Sequence, residues 1–101
     1  LKWIFETYQL MGIVPAKRVL NDTEEIRMAV TKDKSRVAIY IPVNISVIVD
    51  MDLTKYELVM IDLKNRYFGK PELKISNGKS IFAMNNFEED TLIIGVKKDH
   101  I

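Results

Sequence analysis

The stretch from Arg36 to Asp50 constrains the fold more than any other part of the chain. Large aliphatic side chains recur at every second position on both sides of Pro42: Val37, Ile39 and Ile41 before it, and Ile45, Val47 and Val49 after it. Alternation with a period of two is typical of half-buried β-strands. The pattern therefore predicts two adjoining strands of one sheet, with Ala38 and Tyr40 on the opposite face of the first strand.

Comparable runs along the chain predict about seven short strands in all. The further runs are 25–31, 56–63, 73–75, 80–84 and 91–96. Two of them, 56–63 and 91–96, are apolar on both faces and are expected to be buried on both sides. The dipeptide Asn77-Gly78 is the strongest signal for a two-residue hairpin. Residues 64–71 are predicted to form a loop, and residues 87–90 an acidic turn.

One short helix is predicted before the strands, from Lys2 to Met11. Its apolar residues fall on one face at helical spacing, Gly12 occupies the position of a C-terminal cap, and Pro15 prevents continuation. Two interpretations of this helix stay open: it packs on the sheet of its own domain, or it is the tail of a preceding domain or a linker to one. The predicted organisation is a helical lead-in or linker over 1–14 and an antiparallel β-sandwich over 15–101.

Charge and composition exclude several classes of function. The chain has 15 Lys and Arg residues against 14 Asp and Glu residues, and the two signs are mixed along it, so no electrostatic feature favours nucleic acid or an anionic membrane as a partner. No apolar run approaches the roughly 20 residues of a membrane-spanning helix. The absence of cysteine excludes disulfides and cysteine-based zinc sites. Because the chain begins with Leu1 instead of methionine, we expect it to be a piece of a longer polypeptide or one trimmed during preparation.

The ionisable residues give little support for a catalytic or metal site, and no cofactor is expected. His100 is the single histidine and lies next to the end of the chain, so it cannot supply a triad or a zinc site alone. Asp50 and Asp52 could contribute to a calcium site, but a solvated turn is the simpler interpretation because calcium takes about 6–8 oxygen ligands. The acidic run 88–90 is interpreted as protection against mispairing of the following strand.

Several segments resemble one known family when they are taken in order. These are "VPAKRVL", the strand pair "IRMAVTKDKSRVAIYIP", "SVIVDMDL", "YELVMIDLKNRYFG" and the terminal "EEDTLIIGV". Together, over residues 13–97, they are similar to the C-terminal β-sandwich domain of barrel-type glycoside hydrolases, a domain also labelled the collagen-binding domain of collagenase. The chain departs from the family pattern at 62–69, a longer loop without the usual proline, and at Thr91, where the family tends to have tryptophan. A different C-terminal β domain of a carbohydrate-active enzyme therefore stays open.

The resemblance implies an accessory role and no catalytic residue, since catalysis in that family belongs to the barrel. We expect the domain to pack on a catalytic barrel of the same polypeptide and to stabilise it. The expected docking surface is Trp3, Ala38, Tyr40, Tyr56, Leu58 and Met60. The alternative is a carbohydrate-binding module, or one for a fibrous protein, that contacts a polysaccharide through exposed Tyr67 and Phe68. An independent small enzyme ranks third.

Overall fold

The computed structural model of the protein shows two antiparallel β-sheets that pack face to face. The structure describes residues 6–7, 10, 12–20, 26–43, 46–64, 67–82 and 89–98. Within these ranges the strands are β1 (Val14–Pro15), β2 (Arg27–Val30), β3 (Arg36–Val43), β4 (Val47–Val49), β5 (Tyr56–Asp62), β6 (Tyr67–Gly69), β7 (Leu73–Ser76), β8 (Lys79–Phe82) and β9 (Glu89–Lys97).

The larger sheet has six strands in the order β1-β2-β3-β9-β5-β6, and the smaller sheet has three in the order β4-β8-β7. All neighbouring strands pair antiparallel. The two longest strands, β3 and β9, lie side by side in the middle of the larger sheet. This arrangement confirms the predicted all-β, sandwich-like fold.

The inner face of the six-stranded sheet and the three-stranded sheet enclose the main core. Ile39 of β3 lies opposite Ile93 of β9, which lies opposite Met60 of β5, and all three belong to the same buried cluster. The smaller sheet contributes Val49 and Phe82, which are almost fully buried. Because each buried aliphatic or aromatic side chain stabilises the fold by about 1.5–3 kcal/mol, this layer holds the two sheets together.

The outer face of the six-stranded sheet carries a second, smaller apolar cluster. Ile61 of β5 and Ile94 of β9 are fully buried there, and Leu10, from the segment before β1, packs on them. Strands β5 and β9 therefore bury side chains on both faces, which confirms the prediction from their two-sided apolar pattern.

The two strands of the stretch 36–50 lie in different sheets, so the prediction that they adjoin in one sheet is wrong. Strand β3 pairs with β2 and β9, whereas β4 pairs with β8 in the smaller sheet. Val47 and Val49 belong to the core between the sheets and have no exposed surface. Alternation shows that a segment is a strand and which of its faces is buried. It does not show which of the two sheets the strand joins, because strands of both sheets turn side chains into the core between them.

The structure confirms one predicted turn and corrects a predicted loop and a second predicted turn. Asn77 and Gly78 have φ angles of 52° and 76°, as the two central residues of a type I′ hairpin turn require, so that prediction is confirmed. The loop expected over 64–71 contains a strand, β6, in which Phe68 lies opposite Ile61. Aromatic residues favour strands, which explains this correction. The expected acidic turn is also wrong in part, because its last residues begin β9.

The predicted helix from Lys2 to Met11 lies largely outside the described residues, which include only Glu6, Thr7 and Leu10 of that stretch. The residues that follow form a turn in which the Ile13 amide donates to the Leu10 carbonyl at 3.2 Å. Gly12 has a φ angle of +80°, which suits the glycine expected to end a helix at this point.

Candidate functional site

A cleft of about 640 Å³ lies on the outer face of the six-stranded sheet. Its walls are mainly apolar and come from the lead-in segment, from β1 to β3, from the turn after β5 and from the start of β9. The lining residues are Leu10, Ile13, Pro15, Arg27, Met28, Ala29, Ala38, Tyr40, Leu63, Lys64, Asp90 and Leu92. We call this feature the outer-face cleft.

Small side chains on neighbouring strands create the floor of the outer-face cleft. Pro15 of β1 lies opposite Ala29 of β2, and Ala29 lies opposite Ala38 of β3. Opposite residues of an antiparallel pair point to the same face of a sheet, so three short side chains form one row. On the inner face the corresponding row carries Met28 and Ile39. The outer-face cleft therefore exists because the outward positions of β1, β2 and β3 carry small residues here.

A hydrogen bond between Tyr40 and Asp90 closes one end of the cleft. The Tyr40 hydroxyl donates to Asp90 Oδ1 at 2.5 Å, and the Asp90 backbone carbonyl accepts from the Leu63 amide at 3.0 Å. Asp90 has a φ angle of 53°, in the left-handed region that aspartate tolerates better than most residues. These two bonds tie β3, the start of β9 and the turn after β5 together at this end.

Two basic side chains also line the cleft. Arg27 lies opposite Tyr40 on β2 and is exposed, and Lys64 is exposed in the turn after β5. Among the described residues of the lining, the charged ones are these two cations and the carboxylate of Asp90. The cleft thus combines an apolar floor with a basic rim, a composition typical of sites that bind an apolar group with a polar end.

The structure brings together only some of the predicted docking residues. Ala38 and Tyr40 line the outer-face cleft, but Tyr56, Leu58 and Met60 lie on the inner face, where Tyr56 and Met60 are buried in the core and Leu58 packs against it. The prediction of one shared face is therefore wrong. It treated β3 and β5 as neighbours, whereas β9 lies between them and the register turns residues 56, 58 and 60 inward.

The remaining aromatic candidates are only partly described. Trp3 and the side chain of Tyr67 lie outside the described part of the chain. Phe68 lies on β6 at the edge of the six-stranded sheet, opposite the outward-facing Ile61, and is 49% exposed. It shares the outer face with the cleft, although it is not one of the lining residues.

The acidic candidates have local structural partners. Asp52 Oδ1 accepts from the Thr54 hydroxyl at 2.5 Å and from the Thr54 backbone amide at 2.9 Å, and these bonds lower the pKa of the exposed Asp52 carboxyl. A lowered pKa means that the charged carboxylate stabilises this turn above its ordinary pKa, and that the contribution is lost as pH falls through the lowered value. Within the described residues, no group of three or more His, Asp or Glu side chains could hold a metal ion. His100 lies outside the described residues.

Comparisons with known proteins give no match. No family model matches the chain, and neither the curated proteins nor the solved structures contain a match. In the part of the chain that the structure describes, no helix has the length and apolar character needed to cross a membrane.

Sequence reasoning missed the residues that complete the cleft, notably Ala29, Arg27 and Asp90. Two alanines at outward positions of strands joined by the short polar connection 31–35 were the available signal for the floor. Nothing in the local sequence indicated that Asp90 lies beside Tyr40, because the two residues are 50 positions apart and meet only through the pairing of β3 with β9.

Proposed function

We propose that this chain is a non-catalytic accessory β-sandwich of a glycoside hydrolase, which packs on a catalytic barrel through its outer face and stabilises that barrel. The observation that carries the proposal is the outer-face cleft, an apolar concavity of about 640 Å³ on one side of the larger sheet. The resemblance of residues 13–97 to the C-terminal domain of barrel-type glycoside hydrolases supplies the identity of the partner.

The contacts of the lead-in segment support this orientation. Leu10 is 1% exposed, and it packs with Ile13 against Ile61 and Ile94 on the outer face. In the proposed arrangement this segment comes from the barrel, so the chain enters the sandwich at the face that contains the cleft. An apolar concavity beside the point of entry is a natural contact for the remainder of that domain.

The distribution of carboxylates supports a non-catalytic role. Canonical glycosidases use a pair of carboxyl groups that flank the scissile bond. Among the described residues that line the outer-face cleft, Asp90 is the one carboxylate, and it accepts a hydrogen bond from Tyr40. Its role in this proposal is to hold the end of the cleft in place.

The test uses the polypeptide in which this chain is joined to the barrel. Ala29→Phe fills the cleft with an apolar ring and so denies the space to a partner side chain. Ala29 is half-buried, so we expect the chain by itself to tolerate the ring, whereas the joined polypeptide loses a few degrees of barrel Tm. An equal Tm in the joined polypeptides with Ala29 and with Phe at this position rejects docking through the cleft.

Phe68 favours a second function, that of a carbohydrate-binding module, because it exposes half of its surface at a sheet edge. Such a module would stack sugar rings on Phe68 and Tyr67. Affinity electrophoresis through gels that contain soluble polysaccharides tests it with Tyr67→Ala and Phe68→Ala. Ile75→Ala is the matched control, because Ile75 is a 41% exposed apolar residue on the other sheet. Unchanged retardation of the Tyr67→Ala and Phe68→Ala variants would contradict this second function.

A further inference from the structure

We propose that Asn77, in the turn between β7 and β8, is a site of spontaneous covalent modification at which the side-chain amide converts to isoaspartate in the folded protein. The reaction uses only groups of this chain and water, so it is independent of the docking proposed above. It makes the hairpin of β7 and β8 the part of the sandwich that changes chemically as the protein ages.

The sequence provides the reacting groups at this turn. Asn77 is the one asparagine of the chain that is followed by glycine. Because glycine has no Cβ, the backbone nitrogen of Gly78 is poorly shielded from the side chain that precedes it. Both residues are exposed, and a Cβ atom built at Gly78 would meet nothing within 4 Å. Water and hydroxide therefore have free access to the turn.

The reaction exchanges the side-chain amide for a carboxylate and releases ammonia. The Gly78 backbone nitrogen gives its proton to hydroxide and attacks Asn77 Cγ, so that a new N–Cγ bond closes a succinimide ring. The Cγ–Nδ2 bond breaks, and ammonia leaves with a proton from water. Water then opens the ring: cleavage of the N–Cγ bond gives aspartate, and cleavage of the original peptide bond gives isoaspartate. Since the two groups belong to adjacent residues, ring closure is unimolecular.

The geometry of the turn sets the rate of ring closure. Asn77 and Gly78 have φ angles of 52° and 76°, and the pairing of β7 with β8 begins at Ser76 and Lys79, as in a two-residue type I′ turn. Such a turn holds its first central residue at a ψ angle of about +30°. At that angle the Gly78 nitrogen points away from the Asn77 side chain. Ring closure therefore requires the hairpin to open.

Opening of the hairpin involves little of the core. Strand β7 lies at the edge of the smaller sheet, and three of its four residues are exposed. Segments with few buried apolar contacts open locally, at a lower free energy than the whole protein needs to unfold. The reactive conformation of Asn77 is therefore reached while the rest of the sandwich stays folded.

Isoaspartate prevents the hairpin from closing again in the same register. It adds a methylene group to the main chain, which a two-residue turn cannot accept with the pair of Ser76 and Lys79 intact. Leu73, opposite Phe82 on β7, packs against the main core, so the modification loosens one edge of that core. The aspartate product keeps an ordinary main chain, and Asp-Gly also favours a type I′ turn.

Ageing of the whole chain at mildly alkaline pH tests the site. Trypsin cleaves after Lys74 and Lys79, so the fragment 75–79 carries Asn77, and mass spectrometry with isoaspartate-specific methylation measures its conversion. We expect the folded chain to convert at most about 100-fold more slowly than the urea-unfolded chain. Attack that requires global unfolding would be slowed by roughly 10³-fold or more, and that result would overturn the proposal.

Two variants separate local opening from global unfolding. Leu73→Ala weakens the contact of β7 with the core and should speed the conversion several-fold. Gly95→Ala destabilises the protein as a whole, because its Cβ would lie 2.8 Å from Val37 Cγ2, but it lies on β9, away from the hairpin, and should leave the rate unchanged. Faster conversion in Gly95→Ala with no change in Leu73→Ala would contradict local opening.

Amide hydrogen exchange tests the structural consequence. In the isoaspartate form, purified from the aged sample, the amides of β7 should exchange faster than in the unaged chain. Asn77→Asp is the matched control, because it carries the same charge on an ordinary main chain, and its β7 amides should exchange as in the unaged chain. Equal exchange in the isoaspartate form and the unaged chain would show that the hairpin tolerates the modification, against the inference.

Discussion

At the scale of single residues, Ser80 illustrates how a buried polar group can hold a sandwich together. Ser80 on β8 has no exposed surface, and its hydroxyl donates to the Met51 carbonyl at 2.5 Å and accepts from the Leu53 amide at 2.9 Å. These bonds fix the chain between β4 and β5, and Leu53 is itself fully buried. The strand pattern predicted a strand at Ser80, but it carried no sign of this role, because both partners are more than 25 positions away.

Ser80→Ala should therefore destabilise the protein far more than the loss of one small side chain suggests. The substitution leaves the buried Leu53 amide and the part-buried Met51 carbonyl without their partner, which costs about 2 kcal/mol. Urea unfolding measures the change in the free energy of unfolding. Ser76→Ala on β7 removes the same hydroxyl from an exposed position and should change stability by less than about 0.5 kcal/mol. Equal effects of the two substitutions would show that Ser80 has no special role.

At the scale of elements, the sequence predicted strands well and their neighbours poorly. Alternation reveals the buried face of a strand because side chains point to opposite sides at successive positions. It does not reveal which strand lies alongside, and the error in the docking surface arose in this way: β9, the last strand, inserts between β3 and β5. The type I′ turn at Asn77-Gly78 was predictable because its signal is local, whereas the cleft depends on pairings between distant segments.

Gly95 shows why β9 fits between its two neighbours. A Cβ atom built at this position would lie 2.8 Å from Val37 Cγ2 and 2.9 Å from Leu58 Cδ2. Gly95→Ala should therefore overpack the inner face and cost about 1–3 kcal/mol of unfolding free energy. Adding Val37→Ala removes the closest obstruction. In a double-mutant cycle we expect the double variant to be more stable than the sum of the single effects, by more than about 0.5 kcal/mol. Strict additivity would mean that the two sites do not touch.

At the scale of the whole molecule, the two sheets differ in how far apolar packing covers their strands. The centre of the six-stranded sheet is covered on its inner face by the smaller sheet and on its outer face by Leu10 and its neighbours. Strand β7 lies at an edge of the smaller sheet, where three of its four residues are exposed. Opening that edge uncovers little apolar surface, whereas releasing β9 disrupts both clusters at once.

Amide hydrogen exchange should report this difference directly. Amides of β9 should exchange only when the whole protein unfolds, so their exchange free energies should equal the global value from urea unfolding and fall with denaturant at the same slope. Amides of β7 should exchange through local opening, with lower free energies and little dependence on denaturant. The proposed docking adds a second expectation: joining the chain to the barrel should slow exchange in β2 and β3, which form the floor of the cleft, and leave β7 unchanged. Slower exchange confined to β7 would place the partner on the smaller sheet and contradict docking through the outer face.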